Sequence, residues 1–457
     1  MTCRLDESKL KLLVKQGKKG LRHNTGSKRT LFPYTTQTGG RATFKNGFQA
    51  VTGDFTRRIF SVETGQEFEP AKLLSRAVDQ VAYSDPRDRS ELSRFLQGYI
   101  FGNSTHLQAF HPHVFLYFPL SDHPSASGER KIAKFLSEVL VEPDSKNEVL
   151  KVFEKTNSED LLTQLVLEQL SGLKPTRKKQ EYAPKLRMLS KRFTEDFLFL
   201  SRYRDYFADH YPLLLNHYYF VYVSQLVLKL DQFEQAEEDQ LTKIYYLLDW
   251  EKSNKRREAH SQGFQQLMEK ANKAFIHVNC LAQLCENSLG LDELLTYSEL
   301  HQILMTKSEE EQQEFINSLN QWVATYCEMA GLEQPEPAEN LPDGYQNLFD
   351  SIHKVIPFEA ARRYGLGVQE AAAKYFMKAR GRLGNTLNVQ QDFLLMMTAI
   401  CVKEQRLPLK RLFSAMELRG LFFDRYSKQG IIELYDNLNL LDKKSDSGDA
   451  QYVKPVL

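Results

Sequence analysis

The chain has 457 residues, of which 42% are hydrophobic and 26% are charged. At about 150 residues per domain this length favours about three domains, and the composition excludes a disordered or low-complexity chain. The 60 basic and 59 acidic residues leave a net charge of +1. Overall charge therefore excludes a bulk polyanion binder, and any nucleic-acid binding must depend on local basic patches.

Cysteine usage and apolar content indicate where the protein resides. The five cysteines are an odd number and form no CxxC pair, which favours a reducing compartment over a disulfide framework. The N-terminal sequence MTCRLDESKLKLLVKQGKK is charged where a signal peptide needs an apolar segment. The most apolar segment, Leu213 to Leu228, contains Asn216 and His217 and is too short to span a bilayer. We expect a buried helix there, a cytoplasmic location and no membrane contact.

Residues 1–127 are expected to form a basic, mixed α/β N-terminal region. Thr, Gly and aromatic residues alternate over 31–53, which is typical of turns and short strands, and His113 to Pro119 is a second strand candidate. Residues 1–60, here called the arm, hold 13 bases and three acids. A glycine-rich chain of this charge can follow a phosphate backbone. We therefore predict DNA contacts at six bases of the arm: Lys15, Lys18, Lys19, Arg22, Lys28 and Arg29.

Four aromatic residues that follow these bases favour unpaired nucleic acid as the ligand. Phe32, Tyr34, Phe44 and Phe48 would stack on bases if the arm is exposed. The rival hypothesis is that the same basic surface docks on an acidic partner, including the 286–350 block of a second copy. That block holds 14 acids and one base, whereas residues 174–192 hold eight bases and one acid. Such segregation favours partner surfaces.

A group of histidines raises the question of a metal site. His106, His111, His113 and His123 are close in sequence, and His111-Pro-His113 would place two imidazoles on one side of a strand. However, no cysteine is near, and Asp122 lies beyond Pro119. We therefore favour structural histidines and predict neither a metal nor another cofactor.

Helical patterns dominate from residue 128 onward, and 128–330 is predicted to be a helical domain. Apolar residues from Phe264 to Cys285 recur at helical spacing, and Ser308 with Glu311 forms a capping box before another helix. Residues 331–344 hold three prolines, four acids and no base. This composition predicts a linker there and a separate domain over 345–457.

The last part of the chain has the order of a winged helix. Helices are predicted over 389–404, from Pro408 to Gly420, and from an N-cap at Ser427; a Ser-Asp-Ser-Gly-Asp turn then joins two extended runs. In that fold the third helix enters the major groove and the hairpin follows the backbone. The predicted DNA contacts are Arg425, Lys428, Lys443 and Lys444. A winged helix used for protein docking or dimerisation is the equal alternative, because residues 405–457 hold nine bases but also seven acids.

Three segments resemble the DptG family: YYFVYVSQLVLKL at 218–230, YYLLDWEKSNKRR at 245–257, and FFDRYSKQGIIELYDNLNLLDKKSDSGDAQYVK near the C-terminus. The resemblance runs from about residue 180 to the end. It implies a bacterial cytoplasmic subunit that acts with DptF-like and DptH-like partners against DNA lacking phosphorothioate marks. The ATPase and translocase or helicase-like functions belong to those partners, and the family supplies no catalytic residue for this subunit.

The sequence contains no recognisable catalytic motif. It has no GxxxxGK[ST] loop to bind phosphates. Neither Pro143-Asp144 nor Pro342-Asp343 is followed by the acid-x-Lys strand of a metal-dependent nuclease. We therefore expect a mainly α, multi-domain protein with a small α/β N-terminal region and a C-terminal winged-helix-like module. Its expected function is that of a non-catalytic, DNA-contacting scaffold. The alternatives are a metal-dependent DNA hydrolase and a pure assembly adaptor.

Overall fold

The structure is a computed structural model that describes most of the chain, namely residues 3–18, 20–37, 39–44, 47–64, 69–102, 107–121, 124–155, 160–177, 179–443 and 451–457. The chain is mainly helical, with 58% of its residues in helices and with small sheets only. This confirms the predicted mainly α class.

The N-terminal part combines short strands with helices. Its elements, in chain order, are α1 (Glu7–Leu13), β1 (Val14–Gly17), β2 (Gly20–His23), α2 (Gln49–Ile59), β3 (Val62–Thr64), α3 (Pro70–Asp79), α4 (Pro86–Phe101), α5 (Ala126–Val139), α6 (Lys146–Lys151), α7 (Leu161–Gln169) and β4 (Leu173–Pro175). Strands β1 and β2 form an antiparallel hairpin, and β3 pairs with β4.

The middle of the chain is built around one long helix. Its elements are α8 (Arg187–Leu200), α9 (Arg204–Leu230), β5 (Tyr245–Leu248), α10 (Glu258–Ser261), α11 (Phe264–Ala271), α12 (Ala274–Leu284), α13 (Tyr297–Met305) and α14 (Glu309–Ala330). Helix α9 contains the apolar segment 213–228 and is buried along most of its length, as expected. Within the described residues, no helix combines the length and the apolar character that a membrane span requires.

The C-terminal part adds five helices and six strands. They are α15 (Leu341–Val355), α16 (Phe358–Ala373), β6 (Met377–Ala379), β7 (Asn385–Val389), α17 (Gln391–Val402), β8 (Leu407–Pro408), α18 (Leu409–Glu417), β9 (Phe422–Phe423), α19 (Arg425–Asn437), β10 (Leu441–Lys443) and β11 (Gln451–Val453). Strand β11 lies between β10 and β8 in a three-stranded antiparallel sheet.

A four-stranded mixed sheet joins the middle of the chain to its C-terminal part. Its strand order is β6-β7-β5-β9. Strand β5 is parallel to β7 on one side and to β9 on the other, whereas β6 is antiparallel to β7. Residues far apart in sequence therefore meet at one edge of this sheet.

The predicted linker is an irregular segment that lies against neighbouring helices. Residues 332–338 have no regular structure, and α15 begins at Leu341 after the N-cap Asn340. The side chain of Asn320 in α14 forms hydrogen bonds with both backbone groups of Ala338, at 2.9 Å each. Asn347 in α15 donates to the carbonyl of Glu336. Helix α15 also packs against α12 and α14, so contacts cross this segment on both sides.

Local sequence signals placed some helix ends correctly. The capping box at Ser308 and Glu311 is present, with both reciprocal hydrogen bonds formed, and Gly331 ends α14 in the left-handed conformation that glycine adopts without strain.

Four expectations about local structure were wrong. Residues 112–117 form a 3-10 helix instead of a strand, and the described residues of 31–53 form turns and the start of α2 with no strand. The helix expected from 264 to 285 is two helices, α11 and α12, that are interrupted at Asn272. The N-cap of α19 is Asp424, whose carboxylate accepts a hydrogen bond from the backbone N–H of Ser427.

Candidate nucleic-acid interface

Three chain segments meet at the carboxyl edge of the mixed sheet. Because β5, β7 and β9 are parallel, the residues that follow each of them emerge on the same side. They are the loop 249–257, the start of α17 and the start of α19. Ligands of open parallel sheets bind outside the carboxyl ends of the strands. We call the surface formed by loop 249–257 and the first turn of α19 the sheet-edge surface.

The loop 249–257 is fastened to the sheet by its backbone. The amide of Asp249 donates to the carbonyl of Val389 at 3.0 Å, and Lys378 donates to the carbonyl of Asp249 at 2.9 Å. Arg380 donates to the carbonyl of Glu251 at 2.6 Å. The position of the loop is therefore set by β7 and by the strand and turn that precede β7.

A buried charge network ties the end of the loop to the start of α19. The guanidinium of Arg257 forms a two-pronged pair with the carboxylate of Asp424, with Nε donating at 2.8 Å, and it also pairs with Glu251 at 3.1 Å. The hydroxyl of Ser427 accepts from Arg257 and donates to Glu251 at 2.7 Å. All of these groups hold the first turn of α19 against the loop.

Electrostatics within this network keep both partners charged. Burial raises the pKa of the Asp424 carboxyl, but hydrogen bonds from Arg257 and from the Ser427 amide outweigh burial and leave its pKa below the usual value. Burial likewise lowers the pKa of Arg257, and the bonds to Asp424 and Glu251 outweigh it and raise that pKa. The single positive charge of Arg257 offsets one of the two acidic charges, so this buried network keeps a net charge of −1.

The exposed part of the sheet-edge surface carries positive charge. Lys252, Lys255, Arg256 and Arg425 are exposed, and none of them forms an ion pair within the described part of the chain. The acids beside them are engaged, because Asp249 pairs with Lys378 at 3.2 Å and Glu251 and Asp424 pair with Arg257.

Two exposed acids close to this surface oppose its charge in part. Glu258, at the first position of α10, is exposed and unpaired within the described residues. Asp392 is exposed in the first turn of α17. Among the described residues, the four exposed bases exceed these two acids and the residual negative charge of the buried network, so the surface suits an anionic ligand.

The rest of α19 is less suited to DNA than the sequence suggested. Lys428 is half-buried, pairs with Glu417 at 3.0 Å and lies over the ring of Phe413. Further along the exposed side are Glu433 and Asp436. Of the bases predicted there, Arg425 alone is exposed without an ion-pair partner among the described residues.

The hairpin β10-β11, which follows α19, is described only in part. Lys443 lies in β10 opposite Gln451, and Lys444 lies outside the described residues. Strand β8 pairs with β11, so that the hairpin is attached to the segment between α17 and α18.

A second buried ion pair connects the helices before α19 to the centre of the molecule. Arg419, just after α18, forms two hydrogen bonds to the carboxylate of Asp196 in α8, at 2.6 and 2.5 Å. Tyr218 of α9 donates to the same carboxylate. Burial opposes the charged form of Arg419, yet attraction by Asp196 raises its pKa. This pair holds the C-terminal helices in place beside α8 and α9.

The arm presents a second exposed basic surface on the β1-β2 hairpin. Lys15 and Arg22 lie directly opposite each other across the hairpin, and both are exposed, as is Lys18. Like charges in directly opposed positions destabilise a strand pair, so an anion bound there would relieve repulsion. Lys19 lies outside the described residues.

The other two predicted bases of the arm are already paired within the chain. Lys28 forms an ion pair with Glu286 at 3.1 Å, and Arg29 pairs with Asp292 and Glu293 at 3.1 and 2.8 Å. The same acidic segment also receives Lys185 of the second basic block, whose side chain is 1% exposed and reaches Glu293 and Glu299 at 2.9 Å. The oppositely charged blocks therefore meet, in part, inside one copy of the chain.

The aromatic residues of the arm are core residues, which corrects the expectation that they stack on bases. Phe32, Phe44 and Phe48 are buried. Tyr34 is partly buried and packs against Phe32 and edge-on against Tyr364. Phe48 stacks with Tyr219 of α9. None of these four rings is presented to a ligand.

The histidines that were considered as metal ligands are structural where they are described. His111 and His113 are buried, and burial lowers the pKa of His111 to about 4. His113 Nδ1 contacts the carbonyl of Phe153 at 2.8 Å. Among the described residues no group of three His, Cys, Asp or Glu is arranged to hold a metal ion. His106, Asp122 and His123 lie outside the described residues.

The bases of loop 249–257 were not among the DNA contacts predicted from the sequence. The signal was present as the run Lys252, Lys255, Arg256 and Arg257 directly after an apolar strand and Trp250. It was overlooked because the net charge of that segment is reduced by Asp249 and Glu251, which turn out to be bound within the fold.

Comparison with known proteins gives no further assignment. No protein-family model matches the chain, and no curated protein matches it.

Proposed function

We propose that this chain is a non-catalytic, DNA-contacting scaffold subunit of a restriction complex that attacks DNA lacking phosphorothioate marks. The sheet-edge surface is its main DNA contact, and the β1-β2 hairpin is a second one. The observation that carries the DNA contact is a set of four exposed bases at the carboxyl edge of the sheet that have no ion-pair partner in the described part of the chain: Lys252, Lys255, Arg256 and Arg425. Each base of this kind that meets a phosphate releases counterions and so favours binding.

The proposal includes a winged-helix module over residues 391–457. Its support is the order of elements: helix α17, strand β8, helices α18 and α19, and then the hairpin β10-β11, with β8 paired to β11. In such a module the N-terminal residues of the third helix contact the DNA. Arg425 and Tyr426 occupy that position in α19 and lie beside the loop 249–257.

The scaffold role and the partners rest on the resemblance of the chain to the DptG family. Two of the three segments that carry it, 245–257 and the C-terminal segment from Phe422, supply β5 with its loop and β9 with α19. These are the elements that build the sheet-edge surface. The proposed partners are DptF-like and DptH-like subunits, which supply the ATPase and translocase or helicase-like functions in the bacterial cytoplasm.

The test is DNA binding by the purified chain, with and without Mg²⁺, scored for both retention and strand breaks. A variant with all four sheet-edge bases replaced by Ala should lose most of the binding at low salt. The matched control replaces four other exposed bases that have no ion-pair partner in the described part of the chain, namely Arg76, Arg87, Lys131 and Lys354. This control changes the net charge equally and should retain most of the binding.

Each outcome of this test separates the proposal from its alternatives. Binding without breaks, lost in the sheet-edge variant and kept in the control, supports a DNA-contacting scaffold. Breaks that require Mg²⁺ and disappear when a carboxylate of this chain is replaced would mean a DNA hydrolase. No binding at all would mean an assembly adaptor that does not touch DNA.

A further inference from the structure

Two aromatic side chains stand out on the sheet-edge surface because they are exposed. Trp250 is 46% exposed and Tyr426 is 68% exposed. The chain has two tryptophans, and the other one, Trp322, is 2% exposed and donates a hydrogen bond to Gln283. Trp250 belongs to the loop 249–257 and Tyr426 to the first turn of α19, so that both accompany the four free bases.

The backbone on both sides of Trp250 is held in place. The carbonyl of Asp249 accepts from Lys378, and the carbonyl of Glu251 accepts from Arg380. The amide of Glu251 donates to the carbonyl of Leu248 at 3.2 Å. A ring on a backbone fixed in this way loses little freedom when it makes a contact, so its binding is preorganised.

Tyr426 is positioned by the same network. Its ring lies against the buried guanidinium of Arg257, whose central carbon is 5.1 Å from the ring centroid. Ser427, the next residue, donates to Glu251, which follows Trp250 in the chain. Trp250 and Tyr426 are therefore the chain neighbours of the two residues joined by this hydrogen bond.

Exposed aromatic rings next to basic side chains that lack ion-pair partners among the described residues match the chemistry of one ligand class. Proteins that bind single strands combine a positively charged surface for the backbone with aromatic rings on which bases stack. In an intact duplex the base faces are covered by their neighbours, and phosphate contacts alone would not use a fixed ring. Three of the bases, Lys252, Lys255 and Arg256, lie within six residues of Trp250.

We infer that the sheet-edge surface binds single-stranded DNA, with Trp250 and Tyr426 stacking on unpaired nucleobases while the four basic side chains contact the phosphates. This inference rests on the proposed function, because it assumes that these bases bind DNA. It adds that the ligand is an unpaired segment, such as one opened by a helicase-like partner, in preference to intact duplex.

The test compares an oligo-dT strand with a duplex of the same length, using the full chain. Replacing Trp250 by Ala should weaken oligo-dT binding about 5- to 150-fold and leave duplex binding nearly unchanged. Replacing Trp250 by Phe should lose much less, because a ring is kept. The matched control, Phe358→Ala, removes another exposed ring from the start of α16 and should change neither affinity.

Tryptophan fluorescence gives a second measurement, because DNA would not quench the emission of Trp250 if this residue had only a structural role. Oligo-dT should quench the emission of Trp250, both in the unaltered chain and in a Trp322→Phe background where Trp250 is the single tryptophan. Duplex at saturating concentration should quench it less.

Three results separate failure of this inference from failure of the proposed function. If Trp250→Ala has no effect while the variant without the four sheet-edge bases loses binding, the DNA contact stands and the stacking role is wrong. Equal loss on both DNA forms, or no quenching, would also refute stacking. If the unaltered chain binds neither DNA form, both proposals fail and the exposed rings mark a contact with another protein.

Discussion

Removal of the buried Arg419 guanidinium should destabilise the protein strongly, because it leaves a carboxylate without its main partner. The Asp196 side chain is fully buried and that of Arg419 is 4% exposed. Two hydrogen bonds, at 2.6 and 2.5 Å, join them, and Arg419 also donates to the carbonyl of Ala415 at 2.8 Å. In an Arg419→Met variant, Tyr218 would be the remaining side-chain donor to Asp196 among the described residues.

The size of the effect follows from the burial of the pair. Breaking a buried ion pair by removing one partner costs about 3–5 kcal/mol, because a charge is left in a medium that solvates it poorly. Replacing both partners by apolar residues of similar volume is about neutral, or stabilises by up to about 4 kcal/mol. We therefore expect Arg419→Met to lower the free energy of unfolding by about 3–5 kcal/mol, and Asp196→Leu combined with Arg419→Met to recover most of that loss.

Equilibrium unfolding in urea, followed by circular dichroism and by tryptophan fluorescence, measures both variants at neutral pH. The comparison also shows whether the two probes report one transition, which is needed before a single free energy is assigned. A loss below about 1 kcal/mol in the single variant would contradict the burial argument. Losses that simply add in the double variant would show that the two side chains do not interact as described.

Two further predictions concern pH and the arm. Burial lowers the pKa of His217 and His277 to about 3 and that of His111 to about 4. The unfolded chain takes up these protons near pH 6.5 and the native state does not. The free energy of unfolding should therefore decrease as the pH is lowered from 7 to 5.5, by about 1 kcal/mol per histidine. Urea titrations at several pH values check this, and a His217→Phe variant with an unchanged pH slope would contradict it. In the arm, replacing Lys15, Lys18 and Arg22 by Ala should lower the slope of log DNA affinity against log salt by up to about 2.7. Replacing Lys28 and Arg29 by Ala should lower stability and leave that slope unchanged, because both bases are paired with acids of the same chain. A flattened slope in the second variant would place those two bases on DNA instead.

Local signals allowed parts of the fold to be predicted from the sequence. The capping box of α14 depends on residues three apart, and helices α17 and α18 and the final hairpin follow from spacing, proline and glycine within short windows. The N-cap of α19 was assigned wrongly, because Asp424 and Ser427 are both good N-cap residues. Asp424 is the one selected, since its carboxylate also receives the buried Arg257 from another part of the chain.

The features that the sequence did not predict depend on contacts between distant segments. The arm aromatics are buried because α9 and α16 cover them, as in the packing of Phe48 on Tyr219 and of Tyr34 on Tyr364. The sheet-edge surface forms because β5 pairs with β9, which lies about 180 residues later. Composition and periodicity do not contain that pairing, and so the exposed bases after β5 could not be placed beside α19.

The salt dependence of DNA affinity in the sheet-edge variant tests the central claim most directly. Affinity would be measured by fluorescence anisotropy across a series of salt concentrations for the unaltered chain, for the variant lacking Lys252, Lys255, Arg256 and Arg425, and for the matched control. If all four bases contact duplex phosphates, the slope of log affinity against log salt should fall by about 3.6, at about 0.9 for each contact, and by about 2.8 on a single strand, at about 0.7 for each. The control should keep the slope of the unaltered chain. An unchanged affinity and slope in the sheet-edge variant would contradict the account and would assign this surface to another ligand.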